Sequence, residues 1–236
     1  MLTLALDTSA VSSSCCIYGE SGCISRFDLN SKTTHSKTAL PMIDAMLDCA
    51  GCGIEDIDMF AVSTGPGSFT GVRIGVSAVA GLAFGKKCAV GVSTLEAAAY
   101  NLTEIPGDFL ICPVMDARRG QLYCAVFKPG PTPQRLTPDM AISAEEFESI
   151  LKGFSLPCMF TGDGTRVARE LIRSVPVIST PEQLALQNAV GVARAARNIY
   201  LHTEDKSLFD PKNLKPTYLR PSQAERNLNN TNTERK

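Results

Sequence analysis

Short apolar runs and helically spaced apolar stripes alternate along the chain. Strict alternation or a brief apolar run is typical of a strand, and apolar residues three and four apart are typical of a helix. This pattern predicts strands over residues 1–7, 12–18, 23–29, 59–63, 88–91, 109–115 and 122–128, with a further strand entering a glycine turn at 160–164. It predicts helices over residues 36–49, 72–84, 93–101, 143–152, 165–174 and 183–201.

The order of these elements predicts two related lobes. Three strands, a helix, a strand and a helix are followed by a looser version of the same series, which favours two α/β lobes around a cleft. We expect residues 1–104 to form the first lobe and 105–182 the second, with the helix within 183–204 packing back on the first. Residues 205–225 are predicted to be extended. Residues 226–236, rich in asparagine and charge, are predicted to be disordered.

Composition excludes several functional classes. The 236 residues carry a formal net charge of −1, so strong RNA binding by this chain alone is not expected. No basic segment precedes the apolar start, and the weakly polar stretch 72–84 is too short to span a membrane. Nine cysteines at irregular spacing offer one Cys-x-x-Cys pair, Cys49 and Cys52, without a second pair to complete a zinc site. We predict a soluble cytoplasmic protein with no membrane partner.

The segment 61–85 contains the most informative pattern of the chain. A strand runs into Gly65-Pro66-Gly67, and a helix follows in which Gly75, Ala78 and Gly81 recur at helical spacing. Interior glycines destabilise a helix by about 1 kcal/mol each relative to alanine, so a closely packed neighbour must compensate. The segment therefore indicates a ligand-binding site, a protein–protein interface, or both. The structural alternative is that the glycines only allow tight internal packing.

Two phosphate-binding motifs fail in this segment. A Walker A loop requires a lysine after its second glycine, but Gly71 is followed by Val72 and Arg73. The dinucleotide fingerprint Gly-x-Gly-x-x-Gly misses by one residue, because Gly71 lies four rather than three positions after Gly67. The start of the helix can still offer backbone N–H groups to an anion.

Several short motifs resemble one family, TsaB (YeaZ). They are Asp7-Thr8-Ser9, His35-Ser36 before Leu40-Pro41-Met42-Ile43, the string Ser63–Gly75, Asp116-Ala-Arg-Arg-Gly-Gln-Leu-Tyr123 and Tyr218-Leu-Arg-Pro221. The resemblance covers residues 1 to about 225. It implies the ASKHA (actin/Hsp70/sugar-kinase-like) fold, in which each of two lobes is a mixed sheet with helices. It also implies a role in making threonylcarbamoyladenosine beside the anticodon of tRNAs.

The resemblance further implies a division of labour. The transfer is performed by the paralogue TsaD, TsaB is its required partner, and TsaE is the ATPase of the same assembly. TsaD-like proteins carry a metal-binding His-x-x-x-His where this chain has Thr94 and Ala98. Neither side chain is a ligand for iron or zinc, so we predict no catalytic residue, no metal site and no required cofactor here; ATP and metal belong to the partners. An ASKHA-type phosphotransferase and a metallopeptidase-like hydrolase are the alternative functions.

The resemblance also supplies candidate sites. It implies a partner face on the helices 36–49 and 72–84, used for TsaD and, when the chain is alone, for a homodimer; tRNA is contacted only through the complex. The face residues are His35, Leu40, Met42, Ile43, Met46, Gly71, Val72, Gly75, Val76, Val79 and Leu82. Substitution Gly75→Leu is expected to abolish both contacts without unfolding the lobe. A vestigial nucleotide site with weak binding is the open alternative at Asp7, Thr8, Ser9, Gly65, Gly67 and Gly71.

Overall fold

The computed structural model describes residues 1–31, 33–85 and 88–220. The strands are β1 (Thr3–Asp7), β2 (Ser13–Gly19), β3 (Gly22–Leu29), β4 (Met59–Gly65), β5 (Cys88–Ser93), β6 (Leu110–Asp116), β7 (Gln121–Cys124), β8 (Phe127–Lys128), β9 (Gln134–Arg135), β10 (Met140–Ser143), β11 (Cys158–Thr161) and β12 (Val177–Ile178). The helices are α1 (His35–Ala50), α2 (Phe69–Ala83), α3 (Thr94–Tyr100), α4 (Ala144–Lys152), α5 (Thr165–Leu171) and α6 (Ala189–His202). The tail predicted at 226–236 lies outside the described residues.

The first sheet has the strand order β3-β2-β1-β4-β5 and helices on both faces. β1 runs antiparallel to β2 and parallel to β4, which runs parallel to β5. Side chains alternate along β1, so Leu4 and Leu6 pack with α1 and α2 while Ala5 packs with α3 and α6. The last helix of the chain therefore covers one face of the first sheet.

The second sheet is also mixed. Its strands follow the order β10-β7-β6-β11-β12. β8 pairs with β6 near the start of that strand, where Ile111 lies opposite Phe127, and β9 pairs with β8. β6 is parallel to β11 and antiparallel to β7. α4 and α5 cover this sheet through a cluster that includes Phe147, Leu151 and Ala168. The predicted architecture, two lobes that are each a mixed sheet with helices, is confirmed.

The two lobes share buried contacts. Leu95, Ala99 and Leu102 of the first lobe pack in one cluster with residues of the second, among them Phe109 and Phe127. A polar clamp accompanies this cluster: Arg135 of β9 pairs with Glu96 of α3 at 3.1 Å and with Asp139 at 2.6 Å. The hydroxyl of Ser93 donates to the same Asp139 at 2.5 Å. The clamp fixes the lobes on one side of the cleft.

Some predicted boundaries are wrong, each for a local reason. The single strand predicted at 122–128 is broken after Cys124, because the N–H of Val126 donates to the hydroxyl of Thr137 instead of extending the ladder. The helix predicted from residue 183 starts at Ala189, where the Asn188 side chain accepts from the N–H groups of Val190 and Gly191. α2 starts at residue 69 rather than 72. The short strands β9, β10 and β12 were not predicted.

Candidate functional site

A cleft between the lobes forms a cavity of about 430 Å³. The first lobe contributes residues 9–11 after β1 and 66–69 at the start of α2. The second lobe contributes Met115 to Arg118, Tyr123 and Asp163. A C-terminal segment, residues 217–220, also lines the cavity, and we call it the strap. The cleft therefore combines three separate parts of the chain.

Asp7 is buried at the carboxyl end of β1, two residues before the first cleft-lining residue, Ser9. One carboxylate oxygen accepts from the N–H of Ser9 at 2.8 Å and from its hydroxyl at 2.6 Å. The other accepts from the hydroxyl of Ser63 at 2.8 Å. The carboxylate thus ties the end of β1 to β4, and these internal donors occupy both of its oxygens.

The glycine turn packs against the chain's own backbone. A Cβ at Gly65 would lie 2.3 Å from the carbonyl oxygen of Thr217, and one at Gly71 would lie 2.0 Å from that of Thr8. A Cβ at Gly67 would lie 2.4 Å from the carbonyl oxygen of Ser9. Internal contacts therefore account for the glycines, which is the structural alternative considered from the sequence. The predicted nucleotide residues converge in space, and nucleotide binding by them stays a prediction.

The strap holds the glycine turn and the start of α2. The N–H of Thr217 donates to the carbonyl of Thr64 at 2.7 Å. Tyr218 stacks on Phe69 with ring centroids 4.9 Å apart, and its hydroxyl accepts from Nε of Arg73 at 2.8 Å. The sequence predicts an extended segment here but not its contacts, because an irregular segment has no periodicity that indicates its partner.

Two carboxylates of the second lobe face the cleft. Asp116 ends β6 and accepts from the N–H of Arg118 at 2.8 Å, while Asp163 follows β11 and lies 3.4 Å from the amide nitrogen of Gln187. Burial raises the pKa of Asp163 to about 6, and the negative charges of Asp116 and Asp7 add to the rise. The motifs around both residues were noted in the sequence, but their convergence with Asp7 was not.

The positions of the absent TsaD-type histidines lie inside the fold. Thr94 and Ala98 are buried on α3, and the Thr94 hydroxyl has no hydrogen-bond partner. Across residues 1–31, 33–85 and 88–220, no three His, Cys, Asp or Glu side chains are close enough to hold a metal ion. All nine cysteines, including Cys49 and Cys52, are free thiols. Within the same ranges, no helix is both long and apolar enough to cross a membrane.

His35 is the first residue of α1, and its side chain is hydrogen-bonded within the first lobe. Its Nε2 lies 2.8 Å from the carbonyl oxygen of Ala10, so the ring links the helix start to the turn after β1. The preceding Thr34 makes no side-chain cap. This contact agrees with a structural role for the histidine.

The predicted partner face divides into a buried and an accessible part. Leu40 is 52% exposed, and His35, Met42 and Leu82 are half-buried. The other predicted face residues pack inside the first lobe: Ile43, Met46, Gly71, Val72, Gly75, Val76 and Val79. A partner can contact only the first group through side chains, so the predicted helix face is reduced to His35, Leu40, Met42 and Leu82, together with the exposed Gly81 next to Leu82.

The expectation for Gly75→Leu is wrong for the same reason. A Cβ at Gly75 would lie 2.5 Å from the hydroxyl of Thr8 and 3.2 Å from a methyl group of Val62. A leucine there would disrupt the packing of α2 on the sheet rather than block a partner selectively. Gly81 has no atom within 4 Å of its Cβ position and is the residue at which added bulk points outward.

The sequence of this chain is similar to two related protein families. A family model described as TsaD, tRNA N6-adenosine threonylcarbamoyltransferase, matches residues 29–228. The chain is 31% identical to the tRNA threonylcarbamoyladenosine biosynthesis protein TsaB of Bacillus subtilis over 95% of this chain and 96% of that protein. It is 35% identical to TsaB of Escherichia coli, where the match spans 54% of this chain and 55% of that protein.

Solved structures agree with the fold. An uncharacterized protein from Pseudomonas aeruginosa, described as similar to peptidase YEAZ, superposes with a TM-score of 0.77 at 25% identity, covering 93% of this chain and 99% of that one. The activator of the 2-hydroxyisocaproyl-CoA dehydratase from Clostridium difficile superposes at 0.51 with 14% identity, covering 87% and 99%. The second likeness concerns the fold alone. Together they confirm the predicted ASKHA architecture.

Proposed function

The chain belongs to the TsaB family, and from that premise we propose that it is the noncatalytic partner of TsaD in tRNA modification. The reaction is the transfer of a threonylcarbamoyl group to N6 of the adenosine beside the anticodon in ANN-decoding tRNAs. The observation that carries the proposal is the match to Bacillus subtilis TsaB over nearly all of both chains. Such a role assigns the chain to the cytoplasm.

The residues on α3 support a role without a catalytic metal. Thr94 and Ala98 are buried where the resemblance puts the two histidines of TsaD, and a hydroxyl and a methyl group do not fit iron or zinc. The internal hydrogen bonds of the Asp7 carboxylate likewise argue against a phosphotransferase that uses this aspartate. The metallopeptidase and the phosphotransferase are therefore the weaker alternatives, and ATP and metal belong to TsaE and TsaD.

The accessible part of the helix face is the proposed contact with TsaD. Leu40 is exposed near the start of α1, and Gly81 leaves open space near the end of α2. α1 and α2 contact each other and pack on the same face of the first sheet. Without TsaD the same face would pair with a second copy, because an uncovered apolar patch favours self-association.

Reconstitution tests this function. Modification of tRNA is measured with threonine, bicarbonate, ATP and the other components, with and without this chain. We expect modification to depend on the chain and to survive Asp7→Asn, which keeps the shape of the buried side chain but removes its charge. Modification without the chain contradicts the partner role. Loss of modification with an Asp7→Asn variant that folds and binds TsaD contradicts the noncatalytic role.

A further inference from the structure

An exposed aromatic–arginine cluster lies on the first-lobe side of the cleft. The guanidinium carbon of Arg73 is 3.9 Å from the ring centroid of Phe69, and Phe69 stacks on Tyr218. Phe69 is 36% exposed and Tyr218 is 42% exposed, although burial of such rings normally stabilises a fold. Both rings line the cavity. They therefore present aromatic surface to the cleft in addition to holding the strap.

The turn between β6 and β7 brings one arginine, Arg118, to the cavity. Arg118 and Arg119 have φ angles of 69° and 57°, a left-handed conformation that tight β-hairpin turns require. The Arg118 side chain is 84% exposed, and its 3.7 Å ion pair with Asp116 is weak because water screens it. Arg220 of the strap lines the same cavity. The cavity is therefore lined by two arginines, one from the β6–β7 turn and one from the strap.

The interior of the cleft has the opposite character. Asp116 and Asp163 offer carboxylate oxygens that accept hydrogen bonds, and Tyr123 adds a ring. The arginines at the edge attract phosphate, while the carboxylates repel phosphate from the interior and suit hydroxyl or amino groups instead. A volume of about 430 Å³ falls within the range of sites for small organic groups.

We propose that this cleft binds an unpaired nucleotide of an RNA strand, with its base against Tyr218 and Phe69 and its flanking phosphates against Arg118 and Arg220. Proteins that bind single strands combine aromatic stacking surfaces with arginines in this way. The inference rests on the proposed function, since the strand would be the tRNA held by the assembly with TsaD. The net charge of −1 explains why the cleft would act within the assembly rather than alone.

Two pairs of variants test the stacking by Tyr218 and the positive charge of the cleft, each against a matched control variant. Tyr218→Leu removes the ring, while Tyr218→Phe keeps the ring and removes only the hydroxyl that binds Arg73. The double variant Arg118→Gln/Arg220→Gln removes two charges at the cleft. Its control, Arg166→Gln/Arg169→Gln on α5, removes two charges outside it. Each variant is first checked for assembly with TsaD by size-exclusion chromatography.

RNA binding by these assemblies is measured as the fluorescence anisotropy of a labelled anticodon stem-loop at two KCl concentrations. We expect Tyr218→Leu to weaken binding about fivefold or more, and Tyr218→Phe to bind more tightly than Tyr218→Leu. The cleft double variant is expected to weaken binding and to lower the salt slope by roughly 1 to 2, with no change in the α5 control. A photoreactive base in the loop should crosslink to Tyr218 or Phe69.

The proposal is overturned if the cleft variants bind the stem-loop like wild type while their assemblies form and modify tRNA. It is also overturned if free AMP displaces the stem-loop at similar concentration, since the site would then be one for small nucleotides. Failure of the proposed function has a different signature: the wild-type chain would not bind TsaD, or modification would not depend on the chain.

Discussion

At the residue scale, the protonation of one carboxyl group depends on its burial in the cleft. Asp163 lies near Asp116 and Asp7, and its burial raises its pKa from 3.8 to about 6. A carboxyl group whose pKa is raised by folding binds its proton more tightly in the folded than in the unfolded state. The folded state therefore loses stability as the pH rises from about 4 to 6, and the loss remains above pH 6.

We predict that Asp163→Asn removes this loss. The free energy of unfolding of the variant minus that of wild type should increase by up to about 3 kcal/mol from acidic to neutral pH. This amount is equivalent to a pKa shift of about two units. The asparagine keeps a partner for Gln187. Urea unfolding of both proteins at pH 4.5 and 7.5 measures the difference, in which most other titrating groups cancel. Parallel stability profiles for the two proteins would contradict the prediction.

At the element scale, α2 shows how far a sequence pattern predicts a face. The segment was recognised as a helix rich in small residues, and its apolar residues Val72, Val76 and Val79 form one stripe. Gly75 shares that stripe, so the sequence contained the signal that this glycine faces inward. Its contact with Thr8 could not be predicted, because a turn more than sixty residues away in sequence provides it. The outward position of Gly81 follows from the same periodicity.

The two glycines therefore make a matched test of the partner face. Gly81→Leu should weaken association with TsaD and with a second copy, while the melting temperature of the chain equals or exceeds that of wild type because a helix glycine is replaced. Gly75→Ala should instead lower the free energy of unfolding by about 1–3 kcal/mol, because its Cβ would overlap the Thr8 hydroxyl. Analytical ultracentrifugation and thermal unfolding separate the effects. Normal binding of TsaD by Gly81→Leu would exclude this surface as the contact.

At the scale of the whole molecule, local patterns predicted the two-lobed architecture but not the contacts that close it. The strand and helix periods gave most elements of both lobes, and the family resemblance gave their arrangement. The strap on the glycine turn and the Arg135 clamp join residues far apart in sequence. Neither has a periodic pattern, and both depend on how the lobes meet, so sequence reasoning had no means of finding them.

The strap gives the prediction at this scale. Deletion of residues 216–236 should lower the free energy of unfolding by roughly 1–3 kcal/mol, because it removes the Thr217 hydrogen bond and the Tyr218 stack. Leu214, which packs against the first-lobe core, is retained. Deletion of 221–236 is the control, since it removes none of the described contacts. Equal thermal stability of the two truncated proteins would show that the strap contributes nothing.

The position of α6 has a consequence for how the chain is made. The first sheet is complete at β5, yet the helix that covers one of its faces is synthesised only after the entire second lobe. On the ribosome, α3 is the only one of the described helices available to cover that apolar face until the C-terminal part of the polypeptide emerges with α6. A break in the loop at 105–108 would consequently yield not two independent domains but two fragments that fold on meeting each other, the arrangement on which split-protein complementation relies.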